Sequence, residues 1–295
     1  MSAVSQMTSW RKLGDNRMAL LGLGAFGGVV LIAVLSAAFT PGSALAKLLL
    51  DYHGAGSAAV FPYPLTIQNV MWVMFGIAVG DGIYRHHRAR QERGSIGLGL
   101  LPEKQSTILT KDNLPEVMEK TYVVMQKEDL FLPRLIHSAG MSFQTHSSAE
   151  QAHEVMSSQV DLELHRSDLR YTLLRYLAWL LPTLGFIGTV VGISAALSAI
   201  EVDSPAGKDP SALVAKAGGT DTGVERKAVR TQKTSATVTT RLALAFNTTI
   251  LALLLSIIVV LLSQFLHKRE EEIINEQSEY CLNNLIVRLY NPEKI

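Results

Sequence analysis

The sequence predicts an all-α integral membrane protein with four transmembrane helices, the last two extended into a cytoplasmic helical stalk. Three observations carry that expectation. The stretches 18–39, 54–80, 176–200 and 242–266 contain no charged residue, and each exceeds the roughly 20 residues needed to cross a hydrocarbon core of about 30 Å. Basic clusters flank these stretches asymmetrically. Long runs free of glycine and proline adjoin the last two.

The first stretch follows Arg11, Lys12 and Arg17. Ala44-Leu45-Ala46 has the small-residue form of a cleavage site, but the apolar run exceeds a signal peptide's h-region, so a retained span is expected. The second stretch ends on Asp81 and then Arg85, Arg88, Arg90 and Arg93, whereas the loop between the two spans holds only Lys47 as a firm positive charge. Basic residues near span ends stay inside, so both termini and the segment after the second span are expected in the cytoplasm. Arg226, Lys227, Arg230 and Lys233 in the loop after the third span run against this. The stronger clusters elsewhere and the even number of spans outweigh them. Asp81 reads as a boundary residue, solvated or paired with Arg85 one turn on.

Segment 85–170 reads as amphipathic and helical rather than as a catalytic domain. Asn113 before Pro115 marks a helix start, and Ser147 with Glu150 has the capping-box form. From there to Pro182 neither glycine nor proline intervenes, which predicts one helix running into the third span. After the fourth span, Ile274, Cys281, Leu282, Leu285 and Leu289 recur at helical spacing. The expected layout is an N-terminal span pair over 1–84 and a cytoplasmic helical region over 85–170. A second span pair follows over 171–266, with an outer loop at about 201–238, and a C-terminal cytoplasmic helix over 267–295.

Composition narrows the chemistry. A net charge of +1 implies no bulk attraction to nucleic acid. The single cysteine, Cys281, excludes an internal disulfide. His86 and His87 lie inside the arginine cluster. With no metal-ligand spacing, no Ser/His/Asp set and no phosphate-cradling loop, neither an enzyme nor a bound metal or cofactor is expected.

The third span is unlike a helix that only dissolves in lipid. At 100° per residue, Pro182, Gly185, Thr189 and Ala196 share a sector with Gly192 at its edge. Gly188 and Gly192 form a GxxxG pair that admits a neighbouring helix. Pro182 leaves the carbonyl of Ala178 without its amide partner, which is costly in lipid unless protein or water satisfies it. In the fourth span Ala245, Thr249, Ala252, Ser256 and Ser263 follow one face. Thr248 lies beside that face, and Asn247 points nearly away from it, as interhelical glue would. The two stripes are either a tightly packed pair or two walls of a polar path, and periodicity leaves both open. Neither contains Asp, Glu, His or Lys, so any titrating group must come from a partner.

"RYLAWLLPTLGFIGTVVGI" and "LALAFNTTILALLLS" resemble the MotA/TolQ/ExbB family of ion-driven motor subunits, most specifically over 170–196 and 240–264. The resemblance implies a homopentamer in the bacterial inner membrane. Its pore would be threaded by single-span MotB/TolR/ExbD-like partners, each bringing a membrane aspartate. It implies an ion path lined by Thr189, of the "GTV" motif, by Thr249 with Thr248 beside it, and by Pro182, which begins the pore-lining motif. Gly185, Gly188, Gly192, Ala245, Asn247, Ala252 and Ser256 are then left to pack the pore helices. Two positions depart from the family. Leu244 stands where many TolQ and ExbB members have glutamate, and Asn247 stands where an acidic residue is frequent. The expected function is that of a pore-forming subunit coupling ion flow, of protons as the resemblance implies, to motion of the partner. The alternative is a non-conducting membrane scaffold of the same fold.

Overall fold

The computed structural model describes residues 17–39, 43–50, 65–103, 108–203 and 222–290. Arg11, Lys12, the stretch 54–64 of the second expected span and the loop residues 204–221 lie outside them. The α-helices among the described residues are α1 (Arg17–Ala38), α2 (Ala44–Leu49), α3 (Ile67–Gly94), α4 (Leu114–Lys127), α5 (Phe131–His146), α6 (Ala149–Arg170), α7 (Thr172–Asp203) and α8 (Thr222–Asn284). The all-α expectation holds among these residues, where the only extended pairing is an isolated bridge between Leu109 and Leu289.

Three helical stretches are long and apolar enough to cross a membrane: Arg17–Ala38, Ala149–Ser198 and Ala245–Arg288. The chain is a multi-pass membrane protein on that ground. Helix α3, which carries the described part of the second expected span, is not among the three; it holds Gln68, Asn69 and Asp81. Two of its side chains serve helix α2, whose last carbonyls have no partners of their own. Gln68 Nε2 donates to the Leu48 carbonyl at 3.2 Å, and Trp72 Nε1 donates to that of Leu49 at 2.9 Å.

Helix α8 differs from its sequence reading. It begins at Thr222, inside the stretch expected to be an outer loop, and runs for 63 residues, about 95 Å at 1.5 Å per residue. After Gly223 the stretch contains no glycine or proline, so nothing in the backbone stops a helix there.

The chain divides into two compact units, one of Met1–Leu21, Gly80–Arg175 and Leu261–Ile295, the other of Gly22–Val79 and Tyr176–Val260. The first has its own apolar core, built from Leu114 and Met118 of α4, Leu132, Ile136 and Phe143 of α5, Met156 of α6, and Ile274, Cys281 and Leu285 of α8. Burial pushes the Cys281 thiol up to about 12. Helix α4 starts where Asn113 and Pro115 predict, although Asn113 makes no side-chain cap. The cap of α6 falls one residue later than predicted. Ser148, not Ser147, accepts from the Gln151 amide, because Ser147 ends α5 in the left-handed conformation at φ 56°. Helix α5 has no cap from its own N-terminal residue. Glu92 of α3 supplies one, its Oε2 accepting the Phe131 amide at 3.0 Å. Burial raises the carboxyl of Glu92, against the lowering effects of that amide and of Arg88.

Asp81 is fully buried rather than solvated. Its Oδ2 accepts from Arg85 Nε at 2.8 Å and its Oδ1 from Arg17 Nε at 2.9 Å. Arg85, itself 3% exposed, also donates to the Arg170 carbonyl, lies 3.8 Å from Glu270 and stands over the Tyr171 ring, 4.2 Å from its centroid. Tyr171 is where the expected single helix breaks. It separates α6 from α7, with φ −80° and ψ −1°, and its amide turns back to the carbonyls of Asp168 and Leu169. No breaker residue causes this. The ring is 1% exposed, held between Arg85 and His267.

Candidate functional site

The second unit brings the two small and hydroxylated stripes face to face. Helix α7 approaches α8 at its glycines. A Cβ on Gly185 would stand 2.5 Å from Ala252 Cβ, one on Gly188 2.7 Å from Thr248 Oγ1, and one on Gly192 2.5 Å from Ala245 Cβ. At Gly185 and Gly192 the facing atom is an alanine Cβ with a backbone Cα of α8 close behind, so a larger residue requires the helices to part, and at Gly188 it requires the Thr248 side chain to move. The seam is closed by Gly185, Gly188 and Gly192 against Ala245, Thr248 and Ala252.

Thr189 and Thr249 meet inside this seam, hydroxyl to hydroxyl. Thr189 Oγ1 also lies 3.1 Å from the Gly185 carbonyl and 3.2 Å from that of Ala245, and Thr249 Oγ1 lies 3.1 Å from the Gly185 carbonyl. Each hydroxyl has a single proton to donate. Two protons therefore serve four hydrogen-bonding contacts, and the same oxygens support more than one donor arrangement. Both threonines are half-buried. Thr248 is in a different position: it is 5% exposed, packed on Gly188, and donates to its own Ala245 carbonyl at 2.7 Å. Asn247 is half-buried on α8.

The carbonyl that Pro182 orphans has a partner. Ser256 Oγ, 8% exposed, donates to the Ala178 oxygen at 2.8 Å. A hydroxyl on α8 thus replaces the amide that proline removes from α7, and it does so within the apolar stretch where water is scarce. Pro182 is half-buried, one turn from Gly185.

The seam offers neutral oxygens only: hydroxyls and main-chain carbonyls. Such a set can hand a proton along or ligate a hard cation, but it cannot hold a charge of its own. Among the described residues no group of three His, Cys, Asp or Glu has metal-binding geometry. Each residue of the seam lies on one of the two stripes that periodicity marks or beside it. The pairing of Ser256 with Ala178 does not follow from periodicity; its signal in the sequence is the orphaned carbonyl alone.

Residues 126–217 match the model of the MotA/TolQ/ExbB proton channel family. The match contains Pro182, Gly185, Gly188, Thr189 and Gly192 and stops before the α8 half of the seam. No curated protein and no solved structure matches the chain.

Proposed function

We propose, from the match of residues 126–217 to the MotA/TolQ/ExbB proton channel family model, that the chain is a member of that family and the pore-forming subunit of an ion-driven motor complex in the bacterial inner membrane. In this reading five copies surround a pore, all four apolar stretches span the membrane, and both termini are cytoplasmic. A single-span partner of the MotB/TolR/ExbD kind supplies the membrane aspartate that this chain lacks. The observation that carries the reading is the meeting of Thr189 and Thr249 between two apolar helices whose stripes contain no ionisable group. A path of that kind relays an ion to a carboxylate brought from outside, and the partner moves as that carboxylate gains and loses its charge.

Replacing both Thr189 and Thr249 by valine keeps the shape and removes both hydroxyls. Partner-dependent ion flux into proteoliposomes is expected to fall about tenfold or more, since each passage loses charge-directed hydrogen bonds. Unchanged flux in a double variant that still assembles would sink the path.

A second reading is a non-conducting scaffold of the same fold. The burial of Thr248 against Gly188 favours it, because that hydroxyl serves packing and is spent on its own helix. The scaffold predicts that the double valine variant changes assembly alone. Repeating the flux measurement with Na⁺ in place of H⁺ identifies the ion, which the neutral oxygens do not.

A further inference from the structure

His267 lies one residue beyond the last apolar stretch, on α8, and faces the α6–α7 junction within the first unit. Its Nε2 is 2.7 Å from Asp168 Oδ1 and its Nδ1 is 3.4 Å from Glu271 Oε1. Its ring stacks on Tyr171, with centroids 4.8 Å apart. Tyr171 is the residue at which the helix over 149–203 is interrupted.

Both ring nitrogens therefore face a carboxylate. A neutral imidazole has one N–H and one lone pair, so it would turn a lone pair toward one of these oxygens. Only the imidazolium donates to both. The surrounding charges agree with that assignment. On α6, Asp168 is hydrogen-bonded by His267, which holds its carboxyl below the usual range, with Arg175 and His165 acting the same way. On α7, Arg175 pairs with Asp168 at 3.3 Å. On α8, Glu271 faces His267 directly, while Glu270 is taken by Ser167 at 2.7 Å. On α3, Arg85 is on the Tyr171 ring and is engaged by Asp81.

We propose that His267 is a proton-operated tie across the Tyr171 break, fastening α8 to the end of α6 when protonated and releasing it when neutral. The sign follows from the two partners. Asp168, with its lowered carboxyl, stays charged until the pH drops below the ordinary carboxylate range. Protonation supplies the second N–H that the two carboxylates require, so the tie is made on the acidic side and lost on the basic side. This makes the junction where the third apolar stretch begins responsive to the pH around His267. The device needs no ion conduction, so it and the proposed ion path stand or fall separately.

The test is hydrogen–deuterium exchange of the full chain in lipid nanodiscs between pH 6 and pH 8, corrected for the intrinsic pH dependence of exchange. Protection of amides over 170–175 is expected to fall about tenfold across that range, the size of one charge-assisted hydrogen bond. In His267→Gln the protection is expected to be low at both pH values. Asp168→Asn, a change at an exposed side chain, makes the same test should the histidine variant fail to fold. Protection that is independent of pH in the wild type, or a pH response that persists in either variant, overturns the proposal.

Discussion

Asp81→Ala is expected to lower the unfolding free energy by about 3–5 kcal/mol, the range for a buried ion pair that loses one partner. The size comes from what stays behind. Arg17 is 39% exposed and can return to solvent, but the Arg85 side chain is 3% exposed. Without Asp81 its nearest carboxylate is Glu270 at 3.8 Å, beyond good hydrogen-bonding distance. Asp81→Asn keeps an acceptor for one arginine and is expected to cost less than alanine. Denaturant titration of the chain in detergent micelles measures both. A loss under about 1 kcal/mol for alanine would show that Arg85 is adequately solvated without Asp81, contrary to the burial described above.

Ser256→Ala is expected to cost about 1–3 kcal/mol, because it leaves the Ala178 carbonyl buried and unpaired. The origin of that cost can be checked by restoring the amide instead. In Pro182→Ala the backbone N–H of residue 182 regains the i−4 carbonyl, so the serine is no longer the sole donor. Ser256→Ala introduced into that background should therefore cost half as much or less. The two changes are coupled through one oxygen atom, and a double-mutant cycle isolates that coupling. Equal costs in both backgrounds would mean that the serine acts by packing and not by satisfying the carbonyl.

The contrast between these two sites shows which features a sequence exposes. Pro182 announces an orphaned carbonyl four residues earlier, since the consequence is local and covalent. That Ser256 answers it depends on the register of two helices 78 residues apart, and no periodicity contains that register. Asp81 and Arg85 are one turn apart on α3 and could be paired by inspection. Arg17, the second partner, is 64 residues away and could not. The Tyr171 break is the clearest case. Residues 149–181 contain no glycine or proline, and the interruption arises from a ring held between Arg85 and His267, both distant in sequence. The seam glycines were legible because close helix approach demands small residues at fixed spacing. Thr248 shows the limit of that logic: its place beside the stripe admits both a path and a packing role, and only the geometry reveals its contact with Gly188.

The burial of Cys281 has a practical consequence. A thiol whose titration is pushed up to about 12 has almost no thiolate at neutral pH, and the thiolate is the form that reacts. The native chain is therefore nearly silent to alkylating probes, so a cysteine introduced at an exposed position can be labelled without first removing the natural one. The same silence makes Cys281 an internal clock. It becomes reactive only when the core around Leu114, Phe143 and Ile274 opens, and its alkylation rate reads the frequency of that opening in the intact protein.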